Sequence, residues 1–322
     1  MKLFNYTKKD LEGSAADLNF VANTLEKVLR LADILKFLNA NTLTQTTLAL
    51  KGGTAINMTV FDLPRLSVDI DLDYAVNDQR EEMMNRRALI TEDIKKYLST
   101  EKYTLTARSK SRHSLDSFVF AYRTLSGATD NIKIEINYSL RAHIFDPENR
   151  PIIAKAIVPS FDVYSLAPCE IFAGKINALL SRTAPRDLYD VYNMIKTGLF
   201  QEKSERNLLR KSIVFYRAIS QKETSQELSL DHLKKITPHQ IRTDLLPVIQ
   251  NGEIVILETM QATVRSFISE LMTLTNEEHE FLLLFTAKDY RPELLFNDDI
   301  ILTRIRQHPM AIWKMQEHSS SS

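Results

Sequence analysis

The sequence predicts an α+β protein, with a mixed β-sheet core flanked by helices and a helical C-terminal domain. Short apolar or alternating runs, typical of strands, recur between residues 48 and 158 and are interspersed with segments of helical periodicity. From about residue 201 only helical periodicity remains, and prolines punctuate it. These two patterns predict a mixed α/β N-terminal part and an all-helical C-terminal part.

The first elements lead to a glycine turn. Apolar residues at helical spacing predict a helix over residues 15–40, and an apolar run predicts a short strand over 48–51. A glycine pair then turns the chain. A short helix is predicted over 54–61, and Pro64 ends that segment.

The middle of the front half is predicted to be a strand, a helix and three further strands. Alternation predicts a strand over residues 68–75, and a charged helix follows over 78–98, with Asn77 or Asp78 as its N-cap. Alternating runs then predict strands, and a Gly-containing turn between the last two is typical of a hairpin. These three strands span residues 103–110, 117–123 and 131–139.

The remaining pattern sets the domain organisation. A further strand fits residues 151–158, and helices are predicted over 168–181 and 186–195. The predicted domains are residues 1–200 for the mixed domain, 201–317 for the helical domain and 318–322 for a disordered tail.

Composition excludes several classes of protein. The 322 residues are 44% hydrophobic and 25% charged, as in soluble globular proteins, and 41 basic residues balance 41 acidic ones. There is therefore no global basic field for nucleic acid, although a local patch remains open. The single cysteine, Cys169, excludes an internal disulfide and a cysteine-built zinc site, and the histidines lack ligand spacing. Without a leader-like segment or an apolar run of roughly 20 residues, the chain is predicted to be cytoplasmic, with no membrane contact.

Gly52 and Gly53 stand side by side in a chain of only seven glycines. Glycines let the backbone approach a ligand closely, and a helix N-terminus offers free N–H groups to phosphate. Thr54 adds a hydroxyl donor. A tight strand-to-helix turn is the simpler interpretation of the glycine pair taken alone.

Asp69, Asp71 and Asp73 alternate with apolar residues, so a strand would place the three carboxylates on one face. Like charges on one face repel, whereas a hard cation such as Mg2+ would make the arrangement favourable. Two carboxylates two residues apart suit metal ions that activate a hydroxyl and stabilise a leaving pyrophosphate. The competing interpretation is a strand edge protected by charge.

Glu135 offers a third carboxylate on an otherwise apolar strand, on the same face as Lys133 and Asn137. A neighbouring strand that carried Glu135 beside Asp69 and Asp71 would complete a metal site. The alternative is a surface ion pair between Lys133 and Glu135, which would contribute little energy.

Two later segments carry further charged candidates. On a helix, Lys175 and Arg182 share one side. There Lys175 could contact triphosphate oxygens as a point charge, and Arg182 could contact them through its forked guanidinium. Asp187 and Asp190 lie one turn apart and could orient these cations or a substrate base. Solvated helix cations and an ordinary helix start after Pro185 are the alternatives.

One basic stripe remains. Arg108, Lys110 and Arg112 would line one face if their strand extends that far. Such a stripe could follow an RNA backbone. An exposed strand that is charged to resist aggregation is the simpler interpretation.

Taken in order, four motifs resemble the AbiEii/MenT family of toxin nucleotidyltransferases, within the DNA polymerase β-like superfamily. The motifs are Gly-Gly-Thr-Ala at 52–55, Arg-x-Ser-x-Asp-Ile-Asp-Leu at 65–72, Lys-x-x-Ala-Leu-x-x-Arg at 175–182 and Arg-Asp-Leu-Tyr-Asp at 186–190. The resemblance covers about residues 45–200, and it implies a nucleotidyltransferase-like fold for the mixed sheet.

The resemblance also implies roles for single residues. The implied catalytic residues are Asp69, Asp71, Glu135, Lys175 and Asp187, and the first three would bind Mg2+. The implied nucleotide-binding residues are Gly52, Gly53, Thr54, Ser67, Lys175, Arg182 and Asp190. Asp73 lies roughly 7 Å beyond Asp71, which predicts a place at the rim of the site rather than among the ligands.

The family acts in bacterial type IV-like, abortive-infection toxin–antitoxin pairs, and some members add nucleotides to the 3′ end of tRNA. The resemblance therefore implies a toxin that transfers NMP from an NTP to an RNA, a tRNA 3′ end first of all, with Mg2+ and a cognate antitoxin as partner. Two alternatives stay open. In the first, the enzyme transfers the nucleotide to a protein hydroxyl or a small molecule. In the second, the chain is a catalytically idle module that binds RNA or a partner protein.

Overall fold

A computed structural model of the protein describes residues 6–154, 161–182, 184–220 and 230–316. The described chain divides into two compact units. Unit 1 comprises the residues up to Arg141, with Pro147–Leu166 and Pro247–Glu253. Unit 2 comprises Ala142–Asp146, Ala167–Leu246 and the residues from Ile254 onward. Each unit is therefore assembled from segments that are separated in the sequence.

Unit 1 contains a sheet with helices around it. Its helices are α1 (Lys8–Asp17), α2 (Ala22–Ala40), α3 (Gly52–Ala55), which continues into a π-helical turn (Ile56–Val60), and α4 (Arg80–Thr100). Its strands are β1 (Leu48–Lys51), β2 (Asp69–Tyr74), β3 (Thr104–Leu105), β4 (Lys110–Ser111), β5 (Leu115–Arg123), β6 (Thr129–Asn137), β7 (Glu148–Pro151) and β8 (Asp162–Ser165).

The sheet has the strand order β3-β5-β6-β2-β1-β8-β7, and β4 also pairs with β5. The β2–β6 and β1–β8 pairs are parallel, while the other pairs are antiparallel. The predicted mixed sheet is therefore confirmed. The central position of β2, between β1 and β6, is what brings the predicted site residues together.

One face of the sheet forms the core of unit 1. Every second residue of β2, β5 and β6 is almost completely buried on that face: Ile70, Leu72, Phe118, Phe120, Ile132, Ile134 and Ile136. Each such side chain contributes roughly 1.5–3 kcal/mol through burial. The alternating residues Asp69, Asp71, Lys133 and Glu135 are only partly buried on the opposite side, which we call the polar face.

Two predicted elements are interrupted in the structure. The helix predicted over residues 15–40 is split into α1 and α2, because Asn19 takes a left-handed conformation with φ of 59°. The strand predicted over residues 103–110 is also split, into β3 and β4. Arg108 lies in the turn between them, where the amide of Ser109 donates to the carbonyl of Thr106 at 3.1 Å.

Among its described residues, unit 2 contains helices joined by loops, and no strand. Its helices are α5 (Pro168–Ser181), α6 (Pro185–Lys196), α7 (Lys203–Ser220), α8 (Pro238–Gln240), α9 (Leu257–Leu271), α10 (Asn276–Thr286), α11 (Asp299–Ile305) and α12 (Pro309–Gln316). Because α5 packs on α7 and α6 packs on α9, the helices before residue 200 group with the later ones. The main division between the units thus lies upstream of the boundary predicted at residue 200.

Some predictions reach beyond the described chain. The predicted tail over 318–322 and part of the strand predicted over 151–158 lie outside the described residues. Within the described ranges, none of the helices combines the length and the apolar character that crossing a bilayer requires.

Candidate active site

Strand register brings the three predicted carboxylates together in unit 1. Asp71 of β2 pairs directly with Glu135 of β6, and Asp69 pairs with Lys133. Paired residues on neighbouring strands are roughly 5 Å apart and point to the same side. The predicted proximity of Asp69, Asp71 and Glu135 is therefore present on the polar face, while their role as metal ligands stays a prediction.

Lys133 lies within this carboxylate cluster. Its Nζ is 2.8 Å from Oε2 of Glu135. Burial lowers the pKa of Lys133, but the hydrogen bond to Glu135 and the charges of Glu135, Asp69 and Asp71 outweigh that effect, so the pKa lies above its usual value. The ammonium group of Lys133 is thus held in its charged form among these carboxylates.

Asp73 is not at the rim of the site, contrary to the prediction. Its side chain is 2% exposed, and its Oδ1 lies 2.5 Å from Nζ of Lys51. The neighbouring strand supplies this counterion, because β1 runs alongside β2 and ends with Lys51. Asp73 is therefore part of a buried ion pair.

The glycine turn lies against the aspartate strand. Gly52 has a φ of 68°, and an added Cβ would lie only 2.5 Å from Oδ2 of Asp71. An added Cβ at Gly53 would lie 2.7 Å from Nη2 of Arg65 and 3.0 Å from Oγ of Ser67. Both glycines therefore leave room for side chains of the second motif. This close approach joins two motifs that are separated by Pro64 in the sequence.

Thr54 and Ser67 have different surroundings. Thr54 is 1% exposed, and its hydroxyl donates to the carbonyl of Asp69. It therefore fixes the backbone at the start of β2. Ser67 is partly exposed beside Gly53. The predicted contact of either hydroxyl with nucleotide stays a prediction.

The later predicted residues come together in unit 2. Nζ of Lys175 lies 2.8 Å from Oδ1 of Asp187 and 3.1 Å from Oδ2 of Asp190. Lys175, Asp187 and Asp190 are all buried, so Lys175 is not a solvated helix cation. Arg182 directly follows α5, and its Nε donates to Oδ2 of Asp187 at 2.8 Å. These four residues form a charge-balanced cluster that links α5 to α6.

The cations of this cluster keep Asp187 ionised. Burial raises the pKa of Asp187, but the charge of Lys175 and the hydrogen bonds from Arg182 and Lys175 lower it by more, so the pKa lies below its ordinary value. The side chain of Arg182 is 65% exposed, whereas that of Lys175 is 8% exposed. Arg182 is therefore the cation of the cluster that a solute can reach.

The donor set on the polar face fits a divalent cation. Asp69, Asp71 and Glu135 supply oxygen ligands, which Mg2+ prefers, and all three are partly exposed. One carboxylate oxygen of Glu135 is engaged by Lys133. Accordingly, no group of three acidic, histidine or cysteine side chains among the described residues is already arranged around a common metal position. A metal ion bound through Oε2 of Glu135 would displace Lys133.

Sequence reasoning missed two charged neighbours of these residues. Lys51 is the counterion of Asp73, and Arg65, which is 3% exposed, lies against Gly53. The ion pair between Lys133 and Glu135, which was the alternative interpretation of Glu135, is present. Two signals were available, because Arg65 opens the second motif and Lys51 directly precedes the glycine pair.

The chain was compared with known proteins by sequence and by fold. The sequence model of the nucleotidyl transferase AbiEii toxin family, of type IV toxin–antitoxin systems, matches residues 36–286. No curated protein matches the sequence. The solved structure of MenT4, a nucleotidyltransferase toxin from Mycobacterium tuberculosis, superposes with a TM-score of 0.63 at 14% identity. That match covers 94% of this chain and 99% of MenT4, so the two share a fold. Since the family model spans most of the sequence, including all four motifs, the chain belongs to the AbiEii family of nucleotidyltransferase toxins.

Proposed function

We propose that this toxin transfers a nucleoside monophosphate from an NTP to the 3′ end of an RNA, a tRNA first of all, with Mg2+ as cofactor. The observation that carries the proposal is the meeting of Asp69, Asp71 and Glu135 on the polar face, directly beside Gly52. Family membership supports the transfer of a nucleotide, and the carboxylates and the glycine turn supply suitable chemistry for it.

Asp69, Asp71 and Glu135 are the residues that would hold the metal. A divalent cation bound there would favour ionisation of the attacking hydroxyl and balance the charge of the departing pyrophosphate. The protein keeps these ligands in place through Gly52, whose missing side chain accommodates Asp71, and through Thr54, which fixes the carbonyl of Asp69.

The proposed reaction is a displacement at phosphorus. The 3′-hydroxyl oxygen of the RNA forms a bond to the α-phosphorus of the NTP. The bond from that phosphorus to the oxygen bridging to the β-phosphate breaks, and pyrophosphate leaves with the electron pair. The hydroxyl proton passes to solvent or to a carboxylate of the polar face, so charge and atoms balance.

We assign two roles to the cluster in unit 2. Arg182 is proposed to contact phosphate oxygens of the nucleotide, because its side chain is 65% exposed while Asp187 holds its Nε and Nη2. Lys175, Asp187 and Asp190 are proposed to position Arg182, since Asp187 bonds to both cations. A substitution of Arg182 should raise the KM for NTP more than it lowers kcat.

The cellular setting follows from the family. A type IV toxin–antitoxin system implies a cognate antitoxin as partner. We propose that the toxin acts in the cytoplasm, where its NTP and tRNA substrates occur.

Labelled NTPs test the proposed function. The wild type, Asp71→Asn and the control Asp62→Asn are each incubated with one labelled NTP, Mg2+, total RNA and total protein. Asp62 is exposed and lies outside the sheet, so its substitution makes the same charge change without removing a proposed ligand. We expect label in tRNA for the wild type and Asp62→Asn, and at least a hundredfold less for Asp71→Asn. Label in protein or in a small molecule would overturn the RNA acceptor, and equal labelling by all three forms would overturn the site.

A further inference from the structure

We propose that residues 102–115, which we call the cationic segment, bind the phosphates of the RNA acceptor just upstream of its reacting end. This inference rests on the proposed function, because it assigns a surface to the acceptor of that reaction. The cationic segment contains Lys102, Arg108, Lys110 and Arg112 and no Asp or Glu. It is thus a local basic region in a chain whose formal net charge is zero.

Strand register places part of this segment on the polar face. Lys110 of β4 pairs with Ser117 of β5, Ser117 pairs with Glu135, and Glu135 pairs with Asp71. Directly paired residues share a face, so these four form one row across four strands. With strands roughly 4.8 Å apart, Lys110 lies roughly 10 Å from Glu135 along this row. The basic residue and the carboxylates therefore border one continuous surface.

Three cations of the cationic segment are not neutralised by the protein. Arg108, Lys110 and Arg112 are exposed, and none forms an ion pair with a carboxylate in the part of the chain that the structure describes. The next acidic residue, Asp116, is buried and bonds to Arg87 at 2.6 Å. Their charge is therefore available to a polyanion, which would release counterions on binding.

The arrangement of charge favours this role over protection of a sheet edge. A charged edge blocks aggregation with either sign, and paired charges also serve. The opposite edge has such a pair, because Arg150 of β7 lies 2.9 Å from Glu148.

On the polar face, Lys51 and Lys133 accompany the carboxylates, because Lys51 bonds to Asp73 and Lys133 bonds to Glu135. Lys110, at the other end of the row, has no carboxylate partner among the described residues. RNA phosphates would be attracted to this end, while the carboxylate end would receive the terminal hydroxyl and a metal.

A triple variant tests the surface. Arg108→Gln/Lys110→Gln/Arg112→Gln is compared with Lys9→Gln/Lys36→Gln/Lys96→Gln, which removes three charges from exposed lysines on α1, α2 and α4. These control lysines also lack ion pairs within the described chain. Steady-state transfer from labelled NTP to total tRNA is measured at several salt concentrations, and thermal melting checks that both variants are folded.

We expect the cationic-segment variant to raise the KM for tRNA about tenfold or more, with kcat within about twofold of wild type. The slope of log(kcat/KM) against log salt concentration should decrease in magnitude by about two. Each single-strand phosphate contact contributes about 0.7 to this slope, and the variant removes three cations. The control triple should match the wild type. If the triple variant melts at a lower temperature than the wild type, Lys110→Gln alone is measured. Its KM for tRNA is expected to increase about threefold.

Two failures are distinguishable. If the wild type labels tRNA while the cationic-segment variant retains the wild-type KM and salt dependence, this surface is wrong and the proposed function stands. If the wild type labels protein or a small molecule and leaves RNA unlabelled, the proposed function and this inference both fail.

Discussion

At the scale of single residues, both the backbone conformation of Gly52 and the nearby Asp71 side chain disfavour any larger residue at position 52. Its φ is 68°, and a Cβ would lie 2.5 Å from Oδ2 of Asp71. Gly52→Ala should therefore displace the Asp71 carboxylate and reduce nucleotide transfer roughly a hundredfold, because displacements of about 1 Å at reacting groups cost that much. Steady-state kinetics with labelled NTP measures the loss.

Gly127→Ala is the matched control for Gly52→Ala. Gly127 also has a positive φ, of 88°, but nothing lies within 4 Å of its added Cβ. Both variants should lose about 1 kcal/mol of unfolding free energy through backbone strain. Only Gly52→Ala should lose activity. Equal activity of the two variants would show that the contact with Asp71 does not matter for the reaction.

Lys133 should compete with metal for Glu135. Its ammonium group bonds to Glu135 at 2.8 Å. Lys133→Met frees that carboxylate and increases the negative charge of the site, so divalent cations should bind more tightly. We expect Mn2+ to raise the melting temperature of Lys133→Met by several degrees more than that of the wild type.

The control for Lys133→Met is Lys27→Met. Lys27 also pairs with a carboxylate, Asp130 at 3.2 Å, but that carboxylate is not among the proposed ligands. Its response to Mn2+ should equal that of the wild type. An equal Mn2+ shift in Lys133→Met would contradict the idea that Lys133 occupies a metal ligand.

At the scale of elements, the join between α5 and α6 depends on a buried lysine. Lys175 bonds to Asp187 and Asp190, and all three side chains are buried. Lys175→Met leaves two buried carboxylates with Arg182 as their remaining cation in the cluster. Removing one partner of a buried pair costs about 3–5 kcal/mol, so urea unfolding at pH 7 should show a loss of that size.

The same cluster predicts a pH dependence. The pKa of Asp187 is lower in the folded chain than in the unfolded one, so its ion pairs stabilise the fold above about pH 4. This contribution is lost as the pH falls through the folded-state pKa. The stability difference between wild type and Lys175→Met should therefore shrink at pH 3. Adding Asp190→Asn to Lys175→Met should restore part of the loss at pH 7, and no recovery would argue against a charge effect.

Local pattern predicted the long, regular elements and missed those that depend on pairing. The alternation in β2 and β6 identified both strands, because one face of each is buried against the core. The strand predicted over residues 103–110 did not anticipate the turn between β3 and β4, and β8, which has only four residues, was not predicted. The contacts of Asp187 and Asp190 with Lys175 were among the predicted possibilities, but the burial of Lys175 was not, because it depends on how two helices pack.

At the scale of the whole molecule, the site required information that a local pattern does not contain. The pairing of Asp71 with Glu135 joins residues 64 positions apart through a parallel register. Sequence alternation showed that each could face outward, and the need for a third carboxylate suggested that their strands are neighbours, but the register itself could not be predicted. The contact of Gly52 with Asp71 and the burial of Asp73 were likewise invisible, since both depend on neighbouring strands.

Unit 1 includes the late segment Pro247–Glu253. We therefore expect a chain that is cut at the predicted boundary, residue 200, to be unstable. Within Pro247–Glu253, the carbonyl of Val248 accepts from the amide of Leu66 and the amide of Asn251 donates to the carbonyl of Asn19, both at 2.6 Å. Val248 and Ile249 are buried. Two hydrogen bonds of about 1 kcal/mol and two buried side chains of roughly 1.5–3 kcal/mol approach the total stability of a typical domain.

A fragment of residues 1–200 should therefore be largely unfolded at 25 °C. The same fragment joined by a short Gly-Ser linker to residues 247–253 regains these contacts, so it should resist protease at least tenfold longer. Pulse proteolysis and circular dichroism compare the two fragments with the full chain. A fragment 1–200 that melts cooperatively at the temperature of the linked form would contradict this dependence, and it would support residue 200 as an independent domain boundary.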